Sequence, residues 1–150
     1  MRLLFTFILC IQTLVSLGQD SIPSERKDLE IIKSFIADLS NEKLRTDVIL
    51  SQHIIVENPD NELYDYLEVC LDEIRINLLS KKIADIQYTP YRQMPHREIM
   101  DIDTENLDTT RIYFLHYKRR QFLAVYLENE KIASFTLVSK GNNKAHFVLY

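Results

Sequence analysis

Glycine is nearly missing from this chain, with Gly18 and Gly141 the two in 150 residues. A phosphate-cradling loop or a Gly-x-Ser-x-Gly nucleophile elbow needs more than that, so both are excluded. Four prolines and so few glycines also leave no low-complexity linker, and the chain has no internal repeat. Cysteine is equally scarce. Of Cys10 and Cys70, the first lies in the amino-terminal apolar run, so the rest of the chain holds one thiol and closes no disulfide on itself. None of His53, His96, His116 and His146 stands at zinc-finger or metalloprotease spacing, and neither a metal nor another cofactor is expected. Basic residues are the minority, 18 against 22 acidic, for a net charge of −4. That excess argues against nucleic acid or an anionic lipid surface as the main partner.

The start of the chain has a different character. Arg2 precedes an apolar run from Leu3 to Leu17, and Ser16 and Gly18 supply the small residues of a cleavage point before Gln19. This pattern reads as a secretory signal peptide over residues 1–18. The run is about 15 residues, short of the roughly 20 that span a bilayer, so cleavage is favoured over anchoring and no stable membrane insertion follows it. Leu9 before Cys10 argues against lipidation, which requires a small residue there. The expected location is secreted or periplasmic. Residues 19–150 then make one domain, large enough to be held by its own core.

The richest patterning lies in residues 110–150. Segments 111–117, 120–128, 131–139 and 144–150 are dense in β-branched and aromatic side chains and separated by polar turns, which predicts a four-strand antiparallel meander. With Asn129-Glu130 as a two-residue loop, Glu128 faces Lys131 and Tyr126 faces Ala133. With Lys118-Arg119 as another, Leu115 faces Phe122 and Tyr113 faces Ala124. One face in that register is nearly all apolar, including Tyr113, Leu115, Phe122, Ala124, Tyr126 and Phe135, and is the one for helices to cover. The other carries Ile112, Phe114, Leu123, Val125, Leu127 and Ile132, interrupted by residues such as His116 and Thr136. Left in water, that patch exceeds what monomers usually expose. A homodimer through this outer face, or a curled sheet lining a cavity, is expected in preference to burial under the N-terminal helix.

Upstream, Leu29, Ile32, Ile36 and Leu39 recur at helical spacing behind Ser24, predicting a helix over residues 25–39. Residues 41–56 stay open between a short helix and an extended segment. Asn58-Pro59 is a start signal, and Leu63, Leu67, Cys70, Leu71, Ile74 and Leu78 form an apolar stripe over residues 59–81. This is the strongest helix of the chain, and Cys70 on its stripe is expected to be buried and inert. Residues 83–88 alternate as a first strand, 89–97 form a loop, and 98–103 form a short edge strand. The expected fold is α+β: N-terminal helices packed on a curved, mainly antiparallel sheet with a C-terminal four-strand meander.

This order of elements resembles the nuclear-transport-factor-2-like superfamily and its cystatin-like relatives, which wrap such a sheet around a helix. The resemblance covers residues 24–150 as an order without a shared motif, and the long helix ahead of nearly all strands departs from it. It implies either a pocket enzyme, such as an isomerase or dehydratase using Asp, Tyr and His, or a binding module without activity. No catalytic position of the family maps onto this sequence.

Four groups of residues suggest chemistry. Asp101, Asp103 and Glu105 fall at positions one, three and five of a calcium loop, with Asp108 close behind. Asn106 stands where glycine is wanted and Ile112 where the closing glutamate is required, so a solvated turn is expected. His116 and His146 share a face in the proposed register, yet strands one and four put them roughly 14 Å apart, too far for a shared metal. Tyr88, Tyr91, Arg92 and Met94 have the composition of a ligand-pocket mouth, and equally that of a loop packed over a sheet edge. Lys118, Arg119 and Arg120 make a basic hairpin tip suited to a phosphate or acidic glycan, or simply to solubility.

Three functions are compatible with these features. The favoured one is an exported non-catalytic domain that binds a small molecule or protein. The second is a pocket-type isomerase or hydrolase with Asp101 or Asp103 as general base and Tyr91 or Tyr88 as donor. The third is a structural homodimer without ligand. Export is checked by intact mass: protein recovered from the periplasm or medium should begin at Gln19, and a membrane-bound species retaining Met1 would refute it.

Overall fold

A computed structural model describes residues 23–150, so the expected signal peptide and its expected cleavage point lie outside the described residues. The helices come first: α1 (Pro23–Ser40), α2 (Thr46–His53) and α3 (Asn61–Leu79). Proline at the start of α1 and Glu25 beside it both suit a helix N-terminus. The segment left open by the sequence forms α2, then straightens at Ile54, which bridges to Ile132. Helix α3 starts later than Asn58-Pro59 suggested because Asp60 is the cap, its carboxylate accepting the Leu63 N–H at 2.7 Å. Arg75 of α3 donates to the carbonyls of Leu39 at 3.1 Å and Leu44 at 2.7 Å. The end of α1 and the turn after it leave those oxygens without helical partners.

The strands follow in two sheets. β1 (Gln87–Pro90), β3 (Ile112–Tyr117), β4 (Arg120–Glu128) and β5 (Lys131–Ser134) are antiparallel in the order β1-β3-β4-β5. β2 (Ile102–Asp103), β6 (Leu137–Gly141) and β7 (Lys144–Phe147) form a second sheet in the order β2-β7-β6, with β2 parallel to β7. The fold is therefore α+β, with helices leading and a strand meander closing the chain. Several local expectations need correction. Residues 83–85 form a 3-10 turn and the first strand comes later, as β1. A further 3-10 turn, Tyr91–Gln93, and a short helix, α4 (His96–Ile99), occupy the expected loop and reduce the edge strand to β2. The third strand of the meander breaks at Phe135-Thr136 into β5 and β6.

The three hairpins turn on Lys118-Arg119, Asn129-Glu130 and Asn142-Asn143, each with both residues at positive φ. That is the type I′ geometry of two-residue hairpins, and the first two loops are the ones the sequence indicated. The register between the turns is not. Tyr117 pairs with Arg120 and His116 with Gln121, but Leu115 pairs with Leu123, so Phe122 is an extra residue in β4. Likewise Leu127 pairs with Ile132 and Tyr126 with Ser134, making Ala133 an extra residue in β5. These are β-bulges, and each moves everything beyond it to the opposite face.

The consequence is a core different from the one the unbulged register implies. Tyr113, Leu115, Leu123, Val125, Leu127 and Ile132 share one buried cluster with the helices. Ile112, Phe114, Ala124, Tyr126, Ala133 and Phe147 form a second cluster on the other side of the sheet. The residues of the expected outer patch are covered among the described residues: Val125, Leu127 and Ile132 lie under the helices and Phe114 under the loop. Helix α1 lies against the sheet. Ile32, Phe35, Ile36 and Leu39 of α1 are all fully buried, and Phe35 contacts Phe135 at 6.4 Å between ring centroids. Asp28 at one side of α1 meets β3, while Lys33 lies over the Tyr88 ring of β1 at 5.7 Å. α3 packs beside α1 and α2 and stands away from the sheet along one side. Among the described residues no helix is long and apolar enough to cross a membrane.

The bulge at Phe122 is testable. Leu123→Ala should cost about 2–4 kcal/mol of stability, in the range for a buried leucine, and Phe122→Ala clearly less. Urea unfolding of both variants decides the matter: equal losses, or a larger loss at Phe122, would restore the unbulged register.

Candidate functional site

The residues expected to do chemistry are not gathered in one place. Asp101 is exposed, and its backbone carbonyl accepts the Ala145 N–H at 2.9 Å. Asp103 accepts the Glu105 N–H at 3.0 Å and faces Lys140, whose ammonium lies 3.4 Å away. The backbone N–H and then Lys140 hold the Asp103 carboxyl below its usual range. A general base working near neutrality needs the opposite shift. Asp108 accepts the backbone N–H of Thr110 at 3.0 Å and its hydroxyl at 2.7 Å, which also lowers its pKa. The acidic run is a set of locally bonded turns. Among the described residues no three His, Cys, Asp or Glu side chains converge as a metal ion would require.

The aromatic loop is a lid on the second core cluster. Tyr91 packs on Phe114 at 6.2 Å between centroids, and Met94 is 7% exposed within that cluster. Arg92 is paired with Glu25 of α1. Tyr88 is half-buried beneath Lys33, and burial raises its phenol pKa. Tyr88, Tyr91, Arg92 and Met94 therefore hold elements together, packing the loop on the sheet and against α1.

A buried ionic contact escaped the sequence reading. Asp28 of α1 is 1% exposed, accepts the Tyr113 hydroxyl at 3.1 Å, and lies 3.2 Å from the Arg111 guanidinium. Its Oδ1 has no hydrogen bond, since Arg111 sits near it but off the bonding direction. Burial raises the Asp28 carboxyl pKa, and Arg111 and Tyr113 oppose that only in part. Burial, and then Asp28, push the Tyr113 phenol far above its ordinary value. None of the clefts described below opens onto this group. It ties α1 to β3.

A cleft lies elsewhere, between α3 and β4. Cys70, Ile74 and Tyr66 of α3 form one wall, Phe122 and Leu123 the floor, and Phe135-Thr136 the far side. The cleft measures about 540 Å³, inside the roughly 300–1,000 Å³ of small-ligand sites. It exists because the apolar surface of α3 is wider than the face it buries. Leu67, Leu71 and Leu78 are fully packed, Cys70 and Ile74 are half-buried on the shoulder, and Val69 and Ile76 are exposed. Cys70 is therefore not buried as expected but lines the cleft, near the Tyr66 hydroxyl, whose pKa it raises. Glu73 and Asn77 supply polar groups at the rim. A second cleft of about 520 Å³ continues from it, sharing Asn77, Gln121 and Phe122 and ending at Tyr117, Lys118 and Arg120.

No protein-family model matches this chain, and neither a curated protein nor a solved structure resembles it. Cys70 and Ile74 were legible in the sequence as part of the apolar stripe of α3, but Tyr66, Glu73 and Asn77 beside them lie outside that stripe, and no local pattern marks that flank of the helix as a cleft wall.

The buried carboxylate generates a prediction. Its pKa in the fold exceeds the 3.8 of an unperturbed aspartate, so the folded state holds the proton more tightly. Stability linked to that proton is complete below pH 3.8 and is lost as pH rises through the elevated value. Asp28→Asn removes the titration while keeping an acceptor for Tyr113. Its stability relative to wild type, read from urea midpoints, should improve between pH 4 and pH 7. Asp28→Ala should lose about 1–3 kcal/mol, because the Tyr113 hydroxyl is left buried without an acceptor.

Proposed function

We propose that this protein is an exported, non-catalytic binding domain whose ligand occupies the cleft between α3 and β4. The observation that carries the reading is the composition of the cleft: Ile74, Phe122, Leu123 and Phe135 give it apolar surface, and Tyr66, Glu73, Asn77, Gln121 and Thr136 line it with polar groups. That is how ligand sites combine affinity with orientation. The cleft lining includes one carboxylate, Glu73, and one thiol, Cys70, without a histidine beside them. The carboxylates considered as general bases lie in a solvated turn on the second sheet. The export half of the proposal rests on Arg2, the apolar run after it and the small residues before Gln19. Kinship with the nuclear-transport-factor-2-like and cystatin-like superfamilies belongs to the proposal too, on the order of elements alone.

Cys70 makes the cleft accessible to a direct test. N-ethylmaleimide should label it in the native protein, more slowly than in urea, and the adduct should fill part of the cleft. Small apolar fragments, such as indole and phenylacetamide, should shift amide resonances at Cys70, Phe122 and Thr136, and those shifts should vanish in the labelled protein. Shifts scattered over the surface, or unchanged after labelling, would remove the cleft as the site.

A further inference from the structure

We infer that the cleft takes an extended acidic peptide, added as a strand along an open edge of β4 and held at one end by the cations of the hairpin tip. The inference rests on the binding reading above and names its ligand class. β4 pairs with β3 from Arg120 to Tyr126. On its other side it pairs with β5 only through Tyr126, Leu127 and Glu128. Residues Gln121 to Ala124 thus have no strand partner on the side where β5 does not run. That stretch of the edge, Gln121 to Ala124, lines the cleft.

The edge is open because the chain beyond β5 is pulled elsewhere. The Phe135 N–H donates to the Tyr150 hydroxyl at 3.3 Å, and that hydroxyl also bonds the Thr136 side chain. The Thr136 carbonyl accepts the Val148 N–H at 3.1 Å, and its own N–H goes to Ser134 Oγ at 3.3 Å. None of these groups bonds to β4. The gap they leave offers about 13 Å of unpaired edge, four residues of strand at the usual rise. A peptide there satisfies the edge with main-chain bonds and turns alternate side chains toward Cys70, Ile74 and Phe135.

Charge sets the sign of the ligand. The cleft runs from Glu73 at one end toward Lys81, Lys118 and Arg120 at the other. The Lys81 ammonium stands 5.1 Å over the Phe122 ring, and Lys118 stands 5.4 Å over Tyr117. None of Lys81, Lys118, Arg119 and Arg120 forms an ion pair among the described residues, although the chain is acidic overall. Lys118 and Arg119 moreover hold φ of 48° and 65°, which Asn-Gly adopts with less strain. Two cations occupy a turn that a neutral pair would make more stable. A second copy of the chain is a poor occupant, because the edge lies behind the wall of α3, where another folded domain's own recessed β4 does not reach.

Selection from a displayed library of random ten-residue peptides against the wild-type protein tests this. The enriched peptides should alternate apolar and polar residues and carry Asp or Glu at one end. For the best of them, N-methylation of alternate backbone amides should weaken binding at least about tenfold, as loss of strand bonds requires. The double variant Lys118→Asn, Arg119→Gly should melt a few degrees higher than wild type yet bind the peptide severalfold more weakly, with a flatter salt dependence. Enriched peptides without acidic bias, or indifference to N-methylation, would overturn the inference. Failure to enrich any peptide while apolar fragments still bind overturns it and spares the cleft; failure of both overturns the two readings together. A concentration-dependent dimer dissociated by Gln121→Pro would assign the edge to a second copy instead.

Discussion

One extra residue in β4 decides which side chains face which core. Phe122 has no partner across the ladder, so Leu123, Val125 and Leu127 align with Tyr113 and Leu115 rather than against them. Without that bulge the helix side of the sheet would mix Phe122, Ala124 and Tyr126 with Tyr113 and Leu115. With it, the helices meet an aliphatic surface, while the smaller Ala124 and Ala133 lie on the other side, where the loop comes down. Bulges cost ladder bonds, and here the compensation is a sheet buried on both faces. Phe122, displaced from the ladder, is free to form the cleft floor under Lys81.

α1 is bound to that sheet by unlike interactions along its length. At its middle the contact is apolar, Phe35 against Phe135. Nearer its start a buried acid, Asp28, meets Tyr113 and Arg111. At its far end the Leu39 carbonyl is capped from α3 by Arg75, and Asp38 pairs with His53 of α2 at 2.7 Å. The ionic contact adds little net stability once desolvation is counted, but it fits one placement of α1 better than a slid one. Fixing α1 also fixes where α3 stands, since α3 packs on α1 and α2, and so sets the width of the cleft.

The sequence shows the elements more clearly than their partners. Helical periodicity located α1 and α3, and the two-residue turns at Lys118-Arg119 and Asn129-Glu130 were legible because polar pairs interrupt β-rich segments. The faces were not legible, because a bulge leaves no local signature when apolar residues follow one another as Phe122-Leu123-Ala124-Val125 do. The break between β5 and β6 depends on the Tyr150 hydroxyl, fourteen residues on from Thr136, and no local rule announces it. Asp28 carries no signal of its own in the sequence, since Tyr113 and Arg111, which meet it, lie more than eighty residues away. The cleft failed to appear for a related reason: it is made by what α3 does not pack against.

The open stretch of β4 also bears on how this protein survives at high concentration. Unpaired strand edges are templates for aggregation, and proteins shield them with charge, bulges or a covering element. Here all three coincide, as Lys118, Arg119 and Arg120 stand at one end, the Phe122 bulge twists the strand, and α3 walls it off. The shield is only as durable as the docking of α3. A local opening that swings α3 outward, with the rest of the fold intact, would bare both the edge and the buried side of Leu67 and Leu71. Loss of solubility on mild heating should therefore precede global unfolding, and begin at this helix.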